Sequence, residues 1–134
     1  MDKALLFIIS FVSFIVLDLV WFKLFTNKIF LELIRPIARL KNDSFDVNYI
    51  SAGVVYILLA LGVCYFVLSE QSSSYRNIAF SGALLGLITY GIYDFTNHAL
   101  LAHWPTKMII LDVGWGICSC ALVSVFTFYI KDKL

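Results

Sequence analysis

SGALLGLITYGIYDFTNHALLAHWP, residues 81–105, is the stretch that decides the fold. The run is apolar enough to cross a bilayer, yet its second half carries the acidic residue Asp94. Its polar companions there are Tyr90, Tyr93, Thr96 and Asn97. A charged side chain at the centre of a membrane span costs about 2.5–3.5 kcal/mol on insertion scales. Asp94 therefore needs partners inside the protein, and the stretch predicts a polar site within a membrane protein.

Composition supports a membrane protein across the whole chain. The 134 residues are 61% hydrophobic and 14% charged, and the mean hydropathy is +0.90. Soluble domains average roughly 45–50% apolar and 25% charged residues. The net charge of +1 and the lack of an arginine-rich stripe predict no nucleic-acid partner. Cys64, Cys118 and Cys120 are an odd number without C-x-x-C spacing, so neither disulfides nor a metal site is predicted. Whether a cofactor binds is left open.

Hydropathy predicts four membrane spans in a single transmembrane domain, 1–134. The spans cover about residues 3–25, 49–68, 77–101 and 107–130, because about 20 apolar residues cross a 30 Å hydrocarbon core. The first apolar run is too long for a signal-peptide core, which has about 7–15 residues, so we interpret it as a retained span. The predicted fold is an all-α, antiparallel four-helix transmembrane bundle.

An interfacial amphipathic helix is predicted between helices 1 and 2, over about residues 28–41. We expect its apolar face, Ile29, Phe30, Leu33 and Ile37, to contact lipid at the membrane surface. Pro36 is expected to kink this helix. The alternative is a solvated extension of the first span.

Glycines on the third span predict close helix packing. Gly82 and Gly86 have the small-x-x-x-small spacing that lets two helix backbones approach closely. The same ridge continues to Tyr90 and Asp94, so the glycines would fix the packing beside a polar end.

Three spans carry an aspartate near the same membrane surface. Asp18 and Asp94 lie near the ends of spans one and three, and Asp112 lies near the start of span four. At 1.5 Å per residue, each carboxyl group lies on the order of one to two turns inside the surface that loops one and three share. Three carboxyl groups in one low-dielectric layer are not expected to ionise together.

Each acid has a companion three residues further on, namely Trp21, Asn97 and Trp115. We expect Tyr90 and Asn97 to orient Asp94. The predicted ligand-binding set is Asp18, Trp21, Tyr90, Tyr93, Asp94, Asn97, Trp104, Asp112 and Trp115. The structural alternative is an interfacial tryptophan belt with acids that only join helices.

The same residues resemble a known family. The matching pieces are D-x-x-W at Asp18, Y-D-x-T-N ending at Asn97, W-P at Trp104 and D-x-x-W-G at Asp112. They are similar to the motifs of a family of small bacterial four-span inner-membrane proteins, catalogued as a domain of unknown function. The resemblance implies four helices in a bacterial inner membrane and implies no reaction.

The function hypotheses fall into three classes. The first is an acid-lined pocket that binds or processes a small polar ligand or a lipid headgroup, with membrane lipid as a partner. The second is a proton- or cation-coupled carrier, as a homodimer, and the third is a non-catalytic scaffold. No motif of a known enzyme class is present, so whether the protein is an enzyme is left undecided. A dead-end cavity would favour binding, and a through-path would favour transport.

Basic residues predict that loop one faces the cytoplasm. The loop-one side holds Lys23, Lys28, Arg35, Arg39, Lys41 and Lys107, and the terminal side holds Lys3, Arg76, Lys131 and Lys133.

Overall fold

The computed structural model describes residues 2–69 and 74–134. The described helices are α1 (Lys3–Trp21), α2 (Asn27–Ile34), α3 (Tyr49–Gly62), α4 (Tyr75–Leu100) and α5 (Thr106–Lys133). Two π-helical turns, Phe22–Thr26 and Val63–Val67, extend α1 and α3. A short hairpin of β1 (Leu40–Lys41) and β2 (Ser44–Phe45) lies between α2 and α3. The connection predicted between spans two and three falls partly on residues 70–73, which lie outside the described residues.

In the described part of the chain, four helical segments are long and apolar enough to cross a membrane. They are Lys3–Phe25, Tyr49–Val67, Tyr75–Leu100 and Thr106–Lys133. Only 17–33% of each apolar window is buried by the protein itself, so lipid is needed to cover the rest of these apolar surfaces. The predicted all-α membrane bundle is confirmed.

Polar residues cap the starts of three of these helices. The side chains of Asp2, Asn48 and Ser74 accept hydrogen bonds from backbone N–H groups in the first turns of α1, α3 and α4. Such caps satisfy donors that have no partner within the helix. Pro105 precedes α5 in an extended conformation, which suits a residue that cannot continue a helix but can start one.

Helices α4 and α5 pack backbone to backbone. A Cβ atom at Gly82 would lie 2.6 Å from Ser124 Oγ, and one at Gly86 would overlap the carbonyl oxygen of Gly116. Gly116 in turn makes room for the ring of Tyr90. The close approach predicted from the Gly82 and Gly86 spacing is therefore present, with α5 as the partner helix.

A closed core occupies the bundle on the far side of the polar residues. Phe14, Val63, Cys120 and Val123 have no exposed surface and come from three different membrane segments. Ser10 Oγ and Thr127 Oγ1, both buried, are 3.1 Å apart and join α1 to α5. This core separates the aspartate-bearing end of the bundle from the terminal end.

The helix between the first two spans is shorter than predicted and is joined to α1. Helix α2 follows the π-helical turn directly and ends at Ile34, not near residue 41. Pro36 explains the end, because the residue before a proline disfavours helical geometry and proline has no N–H to donate. Asn42 and Asp43 then form a two-residue turn with positive φ angles of 51° and 58°, as hairpins of this length favour. Arg35 and Asp43 form a salt bridge of 3.0 Å across this segment.

The expectation that Phe30 contacts lipid is wrong. Its side chain is 8% exposed and packs in a cluster with Trp104, Met108 and Ile109. Leu33 is partly buried against the same cluster, and Ile37 is exposed. Helix α2 therefore packs on the start of α5. One part of the apolar face contacts the protein, and the other part is exposed.

Replacing Phe30 with Ala should lower the free energy of unfolding by about 3 kcal/mol, as truncation of a buried aromatic side chain does. Ile37→Ala, on the exposed part of the same segment, should change it by about 0.5 kcal/mol or less. Reversible unfolding in mixed micelles, followed by tryptophan fluorescence, measures both. Equal effects of the two substitutions would show that α2 does not dock on α5.

Candidate functional site

The most deeply buried acid of the chain's described part is Asp94, whose side chain has no exposed surface. It lies six residues before the end of α4, about 9 Å inside that end at 1.5 Å per residue. The indole Nε1–H of Trp104 donates a hydrogen bond of 3.1 Å to Asp94 Oδ1. Trp104 is itself 6% exposed, so this hydrogen bond is shielded from solvent and lipid.

A second carboxyl group, that of Asp112 on α5, is in hydrogen-bonding contact with the Asp94 carboxyl group. Ionised carboxylates only accept hydrogen bonds, so this contact becomes favourable only with a shared proton or a bound cation. Among the described residues, no N–H or O–H donor meets Asp94 Oδ2, which is buried. The pair therefore has unused capacity to accept hydrogen bonds.

The third acid, Asp18 on α1, has its own donors. Trp115 Nε1–H donates to Asp18 Oδ1 at 2.7 Å, and the Tyr56 hydroxyl group donates to the same carboxyl group from α3. Asp18 also interacts electrostatically with Asp112. The three predicted acids therefore lie at one end of the bundle, where Asp112 interacts with both Asp94 and Asp18.

Tryptophans form an ordered wall beside the acids. The rings of Trp21 and Trp115 stack in parallel, with centroids 4.4 Å apart and planes at 2°. Tyr93 meets Trp104 edge to face, at 5.6 Å and 87°. Aromatic pairs with such geometry add to the stability that burial provides. These contacts fix the indole groups that donate to Asp18 and Asp94.

Two companions of Asp94 have different partners from those expected. The ring of Tyr90 lies against Gly116, and its hydroxyl group bonds to Ser119. Asn97 bonds to Tyr93. Both residues lie at the site, but Trp104 and Asp112, not Tyr90 and Asn97, contact the Asp94 carboxyl group. The reason is that Gly116 leaves a space on α5 that the Tyr90 ring fills.

Sequence reasoning missed two contributors. Tyr56 lies in a span without charged residues, so no local pattern marks it as a partner of Asp18. His98 Nδ1 lies 2.7 Å from the backbone oxygen of Trp104 and fixes the turn that carries this tryptophan. The short spacing from His98 to Trp104 is the only signal in the sequence for this contact.

A cavity of about 960 Å³ lies beside the acids, between α3, α4, the start of α5 and the α2–hairpin segment. Asp112, Tyr90, Tyr93 and Trp104 line one part of it. Most of the remaining wall is apolar and includes Leu58, Leu59, Leu85 and Phe66. Arg39, Asp46 and Asn48 line its rim. This cavity is largely apolar with a polar end, whereas the sequence predicts an acid-lined pocket.

The model of the family described as "Predicted membrane protein (DUF2177)" matches residues 3–129. The chain belongs to this family. The match covers the first three membrane helices and all but the last four residues of α5, so the resemblance drawn from the aspartate and tryptophan motifs is confirmed. The function of the family is unknown. No curated protein matches the chain, and no solved structure does.

Membership of this family shows that the chain is a membrane protein but indicates neither a reaction nor a ligand. Any chemical role must therefore be argued from the residues of the candidate site. Within residues 2–69 and 74–134, no group of three His, Cys, Asp or Glu side chains is arranged to hold a metal ion. The observed arrangement is one carboxyl group, that of Asp112, at the polar end of a largely apolar cavity, with the buried Asp94 in contact behind it. Such an arrangement can accept hydrogen bonds from, or balance the charge of, the polar end of an amphiphilic molecule.

Proposed function

We propose that the protein binds a membrane lipid in this cavity, with the polar end of the lipid against the acids. The observation that carries the proposal is the order of the cavity lining. The charged lining residues, Arg39, Asp46 and Asp112, all lie at the end near loops one and three. The wall towards the middle of the bundle is apolar apart from Thr89 and Tyr90. An amphiphile that lies along the helices has this order of polarity.

The positions of the lining residues in their helices support this order. Asn48 precedes α3, and Asp112 lies six residues into α5, so both are near the loop-one surface. Leu59 and Gly62 lie at the end of α3, and Leu85 lies in the first half of α4, so all three are deeper. A headgroup would therefore lie near the surface and an acyl chain would follow α3 and α4 inward.

The cavity also faces the side from which a lipid would enter. Leu58 and Phe66, which line it from α3 and the following π-helical turn, are 62% and 78% exposed. Tyr93 lines it from α4 and is 54% exposed. Exposed apolar side chains on membrane helices contact lipid, so these residues border both the cavity and the bilayer.

A packed layer between the acids and the terminal end of the bundle favours binding over a carrier. Phe14, Val63, Cys120 and Val123 are fully buried between the acids and the terminal end of the bundle. A transported cation would have to pass this packed layer, whose interior offers no room for water at ordinary protein packing density. The homodimer expected for a carrier is not required for the binding function.

We further propose that the protein lies in a bacterial inner membrane with loop one in the cytoplasm. The excess of Lys and Arg on the loop-one side supports this orientation. The polar end of the cavity would then lie in the cytoplasmic leaflet.

Filling the cavity tests the lipid-binding proposal. Thr89 lines the cavity from α4, whereas its neighbour Ile88 is 49% exposed and does not line it. Thr89→Phe should reduce quenching of Trp104 fluorescence by phospholipid brominated in the acyl chain. We expect about tenfold weaker lipid binding, which corresponds to about 1.4 kcal/mol.

Ile88→Phe adds a similar side chain to the same helix and is the matched control. It should quench like the unaltered protein, because its side chain lies outside the cavity. Identical quenching curves for both variants would mean that the lipid contacts Trp104 from another side, and the proposal would be wrong.

A further inference from the structure

Resting on the proposed lipid-binding function, we infer that the bound lipid carries an ammonium group and that the Asp94–Asp112 pair provides its counter-charge. Asp112 lines the polar end of the cavity, and Asp94 contacts Asp112 from α4. Asp18 interacts with Asp112 from α1 and adds negative potential at the same place. The inner polar end of the cavity therefore presents the Asp112 carboxyl group, with Asp94 and Asp18 behind it.

Cationic side chains with described contacts are engaged away from these acids. Arg35 pairs with Asp43 in the loop-one segment. At the terminal end, Lys131 Nζ donates to Leu68 O, while Lys3 and Lys133 lie over the rings of tyrosines. Among the residues that line the cavity, Arg39 is the basic one, and it lies on the exposed rim together with Asp46. The inner acids thus lack a cationic partner from the described protein.

The Asp94 carboxyl group lies behind Asp112 and keeps acceptor capacity that no N–H or hydroxyl group of the described residues fills. Asp94 Oδ2 is fully buried and meets no N–H or O–H group among the described residues. Buried polar atoms in native proteins are nearly always hydrogen bonded, and exceptions mark places where a partner is absent. An ammonium group in the cavity supplies a positive charge and N–H groups that donate to Asp112, while Asp94 acts through its contact with Asp112.

The aromatic wall also suits a cation. Tyr90, Tyr93 and Trp104 line the cavity beside Asp112, and aromatic faces attract cations within about 6 Å of the ring centroid. An anionic headgroup without an amine would instead place its phosphate beside two or three carboxyl groups. Like charges within a few ångströms repel strongly at low dielectric, so such a lipid is disfavoured at this end.

Lipid retention on the intact protein tests the inference. The protein, purified in neutral detergent, is titrated with phosphatidylethanolamine or phosphatidylglycerol of matched acyl chains, and bound lipid is counted by native mass spectrometry. We expect about tenfold tighter binding of phosphatidylethanolamine. Asp112→Asn should remove this preference while phosphatidylglycerol still binds. Asp132→Asn, an exposed change in the last turns of α5, is the matched control and should keep the preference.

Each outcome has a distinct meaning. If Asp112→Asn does not fold, Asp94→Asn provides the same test from the other member of the pair. Equal or tighter binding of phosphatidylglycerol overturns the ammonium inference but leaves the lipid-binding function intact. Binding of dodecylamine without a preference for phosphatidylethanolamine would assign a free amine and overturn the lipid assignment. If no lipid binds to the unaltered protein, both the proposed function and this inference are wrong.

Discussion

Replacing Gly86 with Leu should prevent the bundle from folding normally. A Cβ atom at this position would overlap the carbonyl oxygen of Gly116, which belongs to the backbone of α5 and cannot rotate away. The overlap can be removed only if α4 and α5 move apart. This movement would also withdraw the Tyr90 ring from its contact with Gly116. Overpacking typically costs about 1–3 kcal/mol, and a backbone clash lies at the upper end or beyond. Thermal unfolding of the protein in detergent measures the effect.

Gly53→Leu is the matched control for this prediction. A Cβ atom at Gly53 meets no other atom within 4 Å, so a larger side chain there extends into lipid. Its melting temperature should stay close to that of the unaltered protein. Similar losses of stability in both variants would contradict the packing of α4 on α5 through glycines.

Asp94→Asn should stabilise the unliganded bundle, and Asp112→Asn should do the same. Either change removes one carboxyl group from the pair and introduces an amide N–H that can donate to the remaining carboxylate. We expect each single variant to raise the free energy of unfolding by about 1 kcal/mol, because a neutral amide costs less to bury than an unpaired carboxylate. The double variant should add little, with a coupling energy of at least about 0.5 kcal/mol.

Asp18→Asn should have the opposite effect. Its carboxyl group already accepts hydrogen bonds from Trp115 and Tyr56, so an amide would lose acceptor capacity and leave a donor unpaired. We expect a loss of about 1.5–3 kcal/mol, as for removal of a hydrogen bond to a charged group. The free energies of unfolding of all these variants are measured in mixed micelles at neutral pH. The two single variants and the double variant of Asp94 and Asp112 form a double-mutant cycle. Additive effects of the Asp94 and Asp112 changes would show that the two carboxyl groups do not share a site.

The depth of the three aspartates in the membrane could be predicted from the sequence. Helix rise and span length were sufficient to predict that Asp18, Asp94 and Asp112 lie in one layer, because membrane helices leave little freedom in depth. The Gly82 and Gly86 spacing likewise indicated a close helix contact. The partners of these acids depend on helix rotation and on which helices are neighbours, which hydropathy does not contain. The sequence therefore does not reveal Tyr56 as a donor to Asp18 or the contact between Asp94 and Asp112. The sequence predicts lipid contact for Phe30 because the spacing of apolar residues on a helix is the same whether lipid or another helix covers them.

The sequence by itself determined four apolar spans, an acidic layer near one surface and a glycine ridge on the third span, because each depends only on composition and spacing along one helix. Tertiary structure alone decided which acids pair, which indole donates to each and where an apolar cavity remains. Those features arise when side chains from several helices compete for the same space. In this protein the Tyr90 ring fills the space beside Gly116, and Asp94 contacts Asp112 and Trp104.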